Sequence, residues 1–238
     1  MNASNFSAAI TLHTITQTFT YSNTTMLTLS IIYPKVALPR NSSVQEMINR
    51  QIRAQVHSFY GRASKDLYQQ AVAAYKDAQK SGFPFHHYEA VLQYEITYNL
   101  HCHLSIYRDQ YEFTGGAHGS TIRASDSWDL ANGRSLLLSS LFPPGENYRA
   151  FLIKQLLAQA DQQMQQNPGI YFEDYPGLII KYFNDENYYL TPTGVAVYYQ
   201  QYEIAPYATG IVVFTIPYDT LQWRPACPAS SLHTSGRS

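Results

Sequence analysis

The stretch YEAVLQYEITYNLHCHLSI, residues 88–106, decides the fold. Every even position in it is apolar or aromatic, from Tyr88, Ala90, Leu92, Tyr94 and Ile96 through Tyr98, Leu100 and Cys102 to Leu104 and Ile106. A period of two places those side chains on one face of extended backbone, the signature of a half-buried strand. The run exceeds the usual strand of roughly 5 to 10 residues, so it predicts a hairpin that reverses near residues 99–101. The second strand then runs to Phe113, Gly115-Gly116 marks a tight reversal, and a third strand extends from about His118 to Trp128, ahead of the turn signal Asn132-Gly133.

Upstream, Leu27, Leu29, Ile31 and Tyr33 alternate with Thr28, Ser30 and Ile32. With the β-like residues 12–19 they predict a hairpin turning through residues 21–24. Pro34 and Pro39 end that strand, and Ser43 with Glu46 makes a capping-box signature ahead of Val44, Ile48, Ile52, Val56 and Phe59. A helical region over 43–79 follows, with Gly61 as a possible break and Ser81, Gly82 and Pro84 as its end. Downstream, Tyr148, Leu152, Leu156, Ala160 and Met164 recur at fourfold spacing and predict a helix over 146–165. Residues 171–189 show no clean period and read as loop with short helix, while 195–199 and 211–216 read as strands. The fold class expected is α+β: an antiparallel sheet packed by a long helical region, with a second smaller α/β lobe.

Composition narrows the function. Of 238 residues, 45% are apolar and only 14% charged, against about 25% charged in ordinary domains, so disorder is excluded. Sixteen basic and 17 acidic side chains leave a net charge of -1, which excludes nucleic acid as a natural partner. The 21 tyrosines suit sheet surfaces and wet binding faces. No apolar run is long enough to span a bilayer, and the N-terminal residues lack the pattern of a signal peptide, so the chain reads as soluble and untargeted. Cys102 and Cys227 are too few for a zinc site of four cysteines; the loose Pro, Ser and Gly composition around Cys227 predicts a free thiol in a disordered tail, 224–238.

Two runs stand out. Tyr111-Glu112-Phe113-Thr114-Gly115-Gly116-Ala117-His118-Gly119 concentrates glycines beside a histidine. Read from its residues it is a structural glycine turn with His118 bonded to backbone, because no lysine or helix follows to make a phosphate loop. The second run is Tyr202-Glu203-Ile204-Ala205-Pro206-Tyr207-Ala208-Thr209-Gly210. Together they resemble the family pair that joins a PdaC-type N-terminal half to an RsiV-type C-terminal half. The resemblance covers residues 10–120, within a unit of 10–130, and about 135–222, with 136–142 and 202–210 as marks of the second half; the two halves are expected to form one compact unit. The motif residues are Tyr111, Thr114, Gly115, Gly116, His118, Glu203, Pro206, Tyr207 and Gly210.

The resemblance implies an extracytoplasmic module of Gram-positive bacteria. Such modules are the sensing part of RsiV-type anti-sigma factors that bind lysozyme, and an accessory region of peptidoglycan deacetylases. This sequence shows no sigma-binding segment, transmembrane helix or deacetylase domain, which leaves recognition without catalysis as the expectation. Lysozyme or another basic envelope protein is the expected partner, and peptidoglycan the alternative. No cofactor or metal is expected: His101 and His103 could share a strand face with His86, His87 or His118 nearby, but they read more simply as polar positions opposite a buried stripe. Glu173 with Asp185 is the one paired-carboxylate candidate for hydrolysis, and no nucleophile signature surrounds any serine or cysteine. The expected partner surface lies in residues 171–189, where Tyr171, Phe172, Tyr175, Tyr182 and Tyr188 stand among acids that include Asp174 and Asp185.

Overall fold

The computed structural model describes residues 6–227 of the chain. Strands β1 (Ala9–Tyr21) and β2 (Thr24–Ala37) form the predicted hairpin. Its turn residues Ser22 and Asn23 take φ of 48° and 59°, the left-handed pair that a two-residue hairpin turn demands. Leu27, Leu29 and Ile31 are buried, as the alternation requires.

The helical region is continuous: α1 (Ser42–Arg62), a single π turn over Ala63–Leu67, and α2 (Tyr68–Ser81). Its N-cap is Asn41, whose Oδ1 accepts the Val44 N–H at 3.3 Å, and not Ser43. Glu46 instead pairs with Arg53. Gly61 does not break the helix. The buried residues Phe59, Ala63, Leu67 and Ala71 follow one another every four positions; that spacing drifts around a helix of 3.6 residues per turn, and the wider π turn takes the drift back, keeping the stripe on the sheet. The helix ends at Gly82, with φ 73°.

The crossover lays β3 (Tyr88–Leu100) parallel to β2. The sheet is therefore antiparallel except at this pair, with order β1-β2-β3-β4-β5, because a chain that returns through a helix re-enters the sheet in the same direction. β4 (His103–Phe113) and β5 (Ser120–Asp129) complete it. The β3–β4 reversal falls at His101 and Cys102, both with positive φ, at the edge of the expected position.

One feature of the founding stretch was not visible in its pattern. Ile96 opposes Ile106, but Tyr98 opposes Ser105, with the register shifting between them. This bulge turns Tyr98 to the other face of the sheet. Ala90, Leu92, Tyr94 and Ile96 pack beneath the helices, whereas Tyr98 joins a second core.

That core belongs to the second lobe. α3 (Tyr148–Gln166) and α4 (Tyr175–Tyr182) pack on a three-stranded antiparallel sheet of β6 (Tyr188–Leu190), β7 (Gly194–Tyr199) and β8 (Val212–Pro217), followed by the one-turn α5 (Tyr218–Leu221). β6 lies where loop was expected; three residues are too few to show a period. Every residue of β7 is buried, since the lobe's own core covers one face and the first sheet the other. At that junction Tyr107 meets Tyr189 with ring centroids 5.2 Å apart, and Arg123, held by Asp109 at 2.8 and 2.7 Å, lies 3.7 Å over the Tyr107 ring.

Cys102 and Cys227 are joined in a disulfide. The expectation of a free Cys227 is thus corrected: Trp223 packs against His103 and Tyr218, and Pro225 is buried, so residues 224–227 run back along the molecule to the β3–β4 turn. The rest of the expected tail, 228–238, lies outside the described residues. The same turn receives the N-terminal segment, since the Cys102 N–H donates to the Phe6 carbonyl at 2.9 Å. The bridge spans 125 positions, and closing so long a loop stabilises by as much as roughly 4 to 5 kcal/mol in the entropy model. Cys227→Ser is expected to lower the urea midpoint markedly, and the parent protein under reductant to fall to the same value.

Candidate functional site

The two distinctive runs of sequence meet at the seam between the lobes. The His118 imidazole stacks on the Tyr207 ring with centroids 3.8 Å apart and planes 19° apart. Its Nδ1 lies 3.1 Å from the Gly119 carbonyl oxygen, and its Nε2 lies 3.5 Å from the Tyr202 hydroxyl. Tyr202 is 54% exposed and stands beside Tyr207 with centroids 5.7 Å apart.

The glycines divide by role. Gly115 has φ +83°, Gly116 does not adopt positive φ, and Gly119 presses against Tyr111 so closely that a Cβ there would fall 2.4 Å from the ring. Thr114 is exposed at the turn. On the other side, Pro206 leads into a 3-10 turn over Tyr207–Thr209 that closes at Gly210, with φ +74°. Just before it, Gln200 accepts the Arg123 N–H at 2.9 Å and donates to the Arg123 carbonyl at 2.7 Å, and Gln201 accepts the Thr121 N–H at 2.7 Å. These amides occupy the outer edge of β5 where another strand would pair. His118 on Tyr207 and the two amides on β5 therefore hold one lobe to the other.

Glu203 serves this seam. Its Oε2 accepts the Gln200 N–H at 2.7 Å, while burial pushes its carboxyl above the ordinary range. The tyrosines around the junction move the same way: burial raises Tyr107, Tyr189 and, to about 12, Tyr198.

A cleft of about 540 Å³ opens between the lobes. The β4–β5 ladder contributes Arg108 and Asp126, residues 135–139 form one wall, and Tyr148 with Asp185 and Glu186 forms the other. Among the described residues Arg108 is the one basic side chain that lines it, and it is engaged by Asp126 at 2.6 Å. Asp126 also accepts from Gln51 and Gln55 of α1 at 2.7 and 3.0 Å. Asp185 accepts the Tyr148 hydroxyl at 3.1 Å and has Arg149 at 3.7 Å. Glu186 is exposed and forms no ion pair among the described residues. The cleft is thus acidic at its mouth and hydroxyl-rich within, from Ser125, Ser127 and Tyr148.

The expected partner surface at 171–189 divides in two. Tyr171 and Tyr188 are core residues, 4% and 6% exposed, and this corrects their place in an exposed aromatic patch: the Tyr188 hydroxyl donates to the Leu136 carbonyl and the Tyr171 hydroxyl to Gln163. Phe172, Tyr175 and Tyr182 are half-buried, with the Tyr175 hydroxyl donating to Asp161 at 2.5 Å. Glu173, Asp174 and Glu186 are exposed. Of the Glu173 and Asp185 pair, only Asp185 lines the cleft; α4 separates the two in sequence. Among the histidines, His103 is buried with Nδ1 at 2.7 Å from the His101 carbonyl oxygen, and His87 approaches Glu89. Sequence reasoning missed Arg108, Asp126 and Tyr148, which lie far apart along the chain and share no motif.

Residues 20–121 match the family model described as "Deacetylase PdaC", and residues 139–219 match "Protein of unknown function (DUF3298)". The two matched regions follow one another along the chain. A DUF3298-family protein of Bacteroides fragilis NCTC 9343 shares its fold at TM-score 0.69 and 21% identity, over 92% of this chain and 94% of that one. A second, from Pseudomonas aeruginosa PAO1, gives 0.60 and 18%, over 94% and 97%. No curated protein matches. The pair marks an accessory domain of the extracytoplasmic type, and no helix among the described residues is long and apolar enough to cross a membrane.

Gly115→Val should cost about 1 to 3 kcal/mol in urea unfolding, through backbone strain, while Gly116→Ala should leave the midpoint nearly unchanged. For Glu203, a carboxyl raised in the folded state favours folding while protonated. That contribution is present below the ordinary carboxylate range and is lost as pH rises through the folded value. Glu203→Gln should then be more stable than the parent at neutral pH, and the gap should close below about pH 4.

Proposed function

We propose that the chain is a non-catalytic recognition module of the cell envelope, and that it binds a basic protein of which lysozyme is the type. The observation that carries this reading is the cleft between the lobes, where Asp126, Asp185 and Glu186 outnumber the two arginines beside them: Arg108 pairs with Asp126 and Arg149 lies beside Asp185, while Glu186 stands exposed. Glu173 and Asp174 are further exposed acids, just before α4. A basic side chain from a partner would enter at the mouth beside Glu186, and its charge would be drawn there before contact is made. The disulfide supports work outside the cytoplasm, since such bridges persist in oxidising compartments. The resemblance to the RsiV-type sensing module points to the same class of ligand.

A second reading, binding of peptidoglycan glycan, is favoured by the exposed Tyr202 ring beside Tyr207, an aromatic surface on which a sugar could stack.

Titration with lysozyme and, separately, with soluble muropeptides distinguishes the two. Lysozyme is expected to bind, with an association rate that falls as salt rises. Asp174→Lys with Glu186→Lys, both at exposed positions, should slow association roughly tenfold without moving the melting temperature. Muropeptide binding without lysozyme binding would put the glycan reading in its place, and turnover of either probe would remove the non-catalytic claim.

A further inference from the structure

The protein closes ladder edges with side-chain amides. Asn49 of α1 accepts the Val36 N–H at 2.9 Å and donates to the Val36 carbonyl at 2.7 Å, where β2 runs past its pairing with β3. Asn99 makes the same pair of bonds to Ala8 at 2.9 and 2.8 Å, and Gln200 makes it to Arg123 on the outer edge of β5. Each amide supplies one acceptor and one donor to a single residue, as a neighbouring strand would.

The outer edge of β1 has no such cover. Among the described residues β1 lies at the end of the sheet order and pairs with β2 alone, so one side of its backbone presents N–H and C=O groups with no described strand beside them. Among the described residues, the bond that reaches a β1 backbone group from a side chain comes from the Tyr68 hydroxyl to the Thr20 carbonyl, close to the hairpin turn. The strand is also long, 13 residues where about 5 or 6 are usual. Its sequence, AITLHTITQTFTY, contains no Asp, Glu, Lys, Arg, Pro or Gly, and those are the residues with which exposed edges are ordinarily blunted.

We propose that β1 is a dimerisation edge, and that two copies of this chain join their β1 strands antiparallel about a two-fold axis at Ile15 into one ten-stranded sheet. The five strands of each copy supply that number. A second copy is the occupant because the strand complements itself. In this register Thr14 of each copy faces Thr16 of the other, His13 faces Gln17, Leu12 faces Thr18, and Ile15 faces its own equivalent. Threonine pairs and β-branched pairs are favourable across an antiparallel ladder, and with no charged residue in the strand no like charges meet. An uncharged edge also carries nothing to select a foreign peptide by charge, whereas a two-fold interface needs only one patch. Thr14 and Thr16 are exposed in the single chain and lie on the face away from the helices, opposite Ile32 and Ser30. This inference stands apart from the proposed ligand, which concerns the cleft beside β4 and β5, toward the other edge of the sheet.

Sedimentation velocity across the micromolar range tests it. The parent chain is expected to shift from monomer to dimer as concentration rises. Thr14→Lys with Thr16→Lys sets like charges opposite each other twice across the axis and should hold the protein monomeric at every concentration, with an unchanged melting temperature in the dilute range. Thr14→Lys with Thr16→Glu sets a lysine opposite a glutamate in the same register and should restore the dimer in a salt-sensitive form. A parent that stays monomeric throughout overturns the proposal. A dimer indifferent to the double-lysine variant places the interface elsewhere and overturns it as well, and failure of the lysine-glutamate variant to recover the dimer overturns the register at Ile15.

Discussion

The ladder between β3 and β4 is the constraint on which the rest of the structure depends, because it must satisfy two cores at once. Up to Ile96 its apolar residues face the helices. Beyond the bulge Tyr98 faces the second lobe, where it joins the core that holds Leu190 and Tyr218. A strand can serve two faces only if its alternation is reset, and one extra residue resets it at the cost of one irregular step in the ladder. The turn that follows, His101–Cys102, then gathers the N-terminal segment, the residue after β5 and the C-terminal bridge: Phe6 and Leu130 meet Cys102 through backbone bonds, and Cys227 through sulfur. Distant parts of the chain thus share one anchor.

The seam between the lobes is polar as well as aromatic. Ser105 accepts the Leu190 N–H at 2.9 Å and lies 2.7 Å from Ser127, and Ser125 donates to the Tyr188 carbonyl. These small hydroxyls let the short β6 come close to the first sheet and supply the bonds that its edge lacks. A buried backbone group left without a partner costs more than a typical bond contributes, so a seam of this kind fixes the lobes in one relation rather than permitting many. The cleft beside it keeps its shape for the same reason. The two family motifs meet at the seam through His118 on Tyr207, and the Gln200 and Gln201 amides just before the second motif bond β5. Their glycines serve local geometry: Gly115 and Gly210 take positive φ, and Gly119 leaves room for the Tyr111 ring.

Function was less legible than fold. The acids of residues 171–189 were visible as a cluster, and Asp174 and Glu186 are exposed as a partner surface needs. The rings beside them were equally visible, yet Tyr171 and Tyr188 lie in the core. Tyrosine suits both settings, since its ring can be buried while its hydroxyl finds a carbonyl or an amide. The cleft itself could not be read at all from a linear pattern, because Arg108, Tyr148 and Glu186 come from a strand, a helix start and a loop.

By itself the sequence determined the α+β class, the β1–β2 hairpin, the β3–β4 hairpin, the long helical region and the α3 stripe, because each rests on contacts between near neighbours whose period is set by backbone geometry. It determined the glycine turn at Gly115 for the same reason. Tertiary structure alone decided the rest: the parallel pairing of β2 with β3, the bulge that turns Tyr98, the three-residue β6, the bond between Cys102 and Cys227, and the meeting of His118 with Tyr207. Each of these joins residues far apart in the chain or depends on which of two faces is covered, and neither is a property of spacing. The bridge is the clearest case. The composition around Cys227 describes a loose tail, and only the packing of Trp223 on His103 and Tyr218 brings that tail to the β3–β4 turn, where proximity rather than composition settles the chemistry.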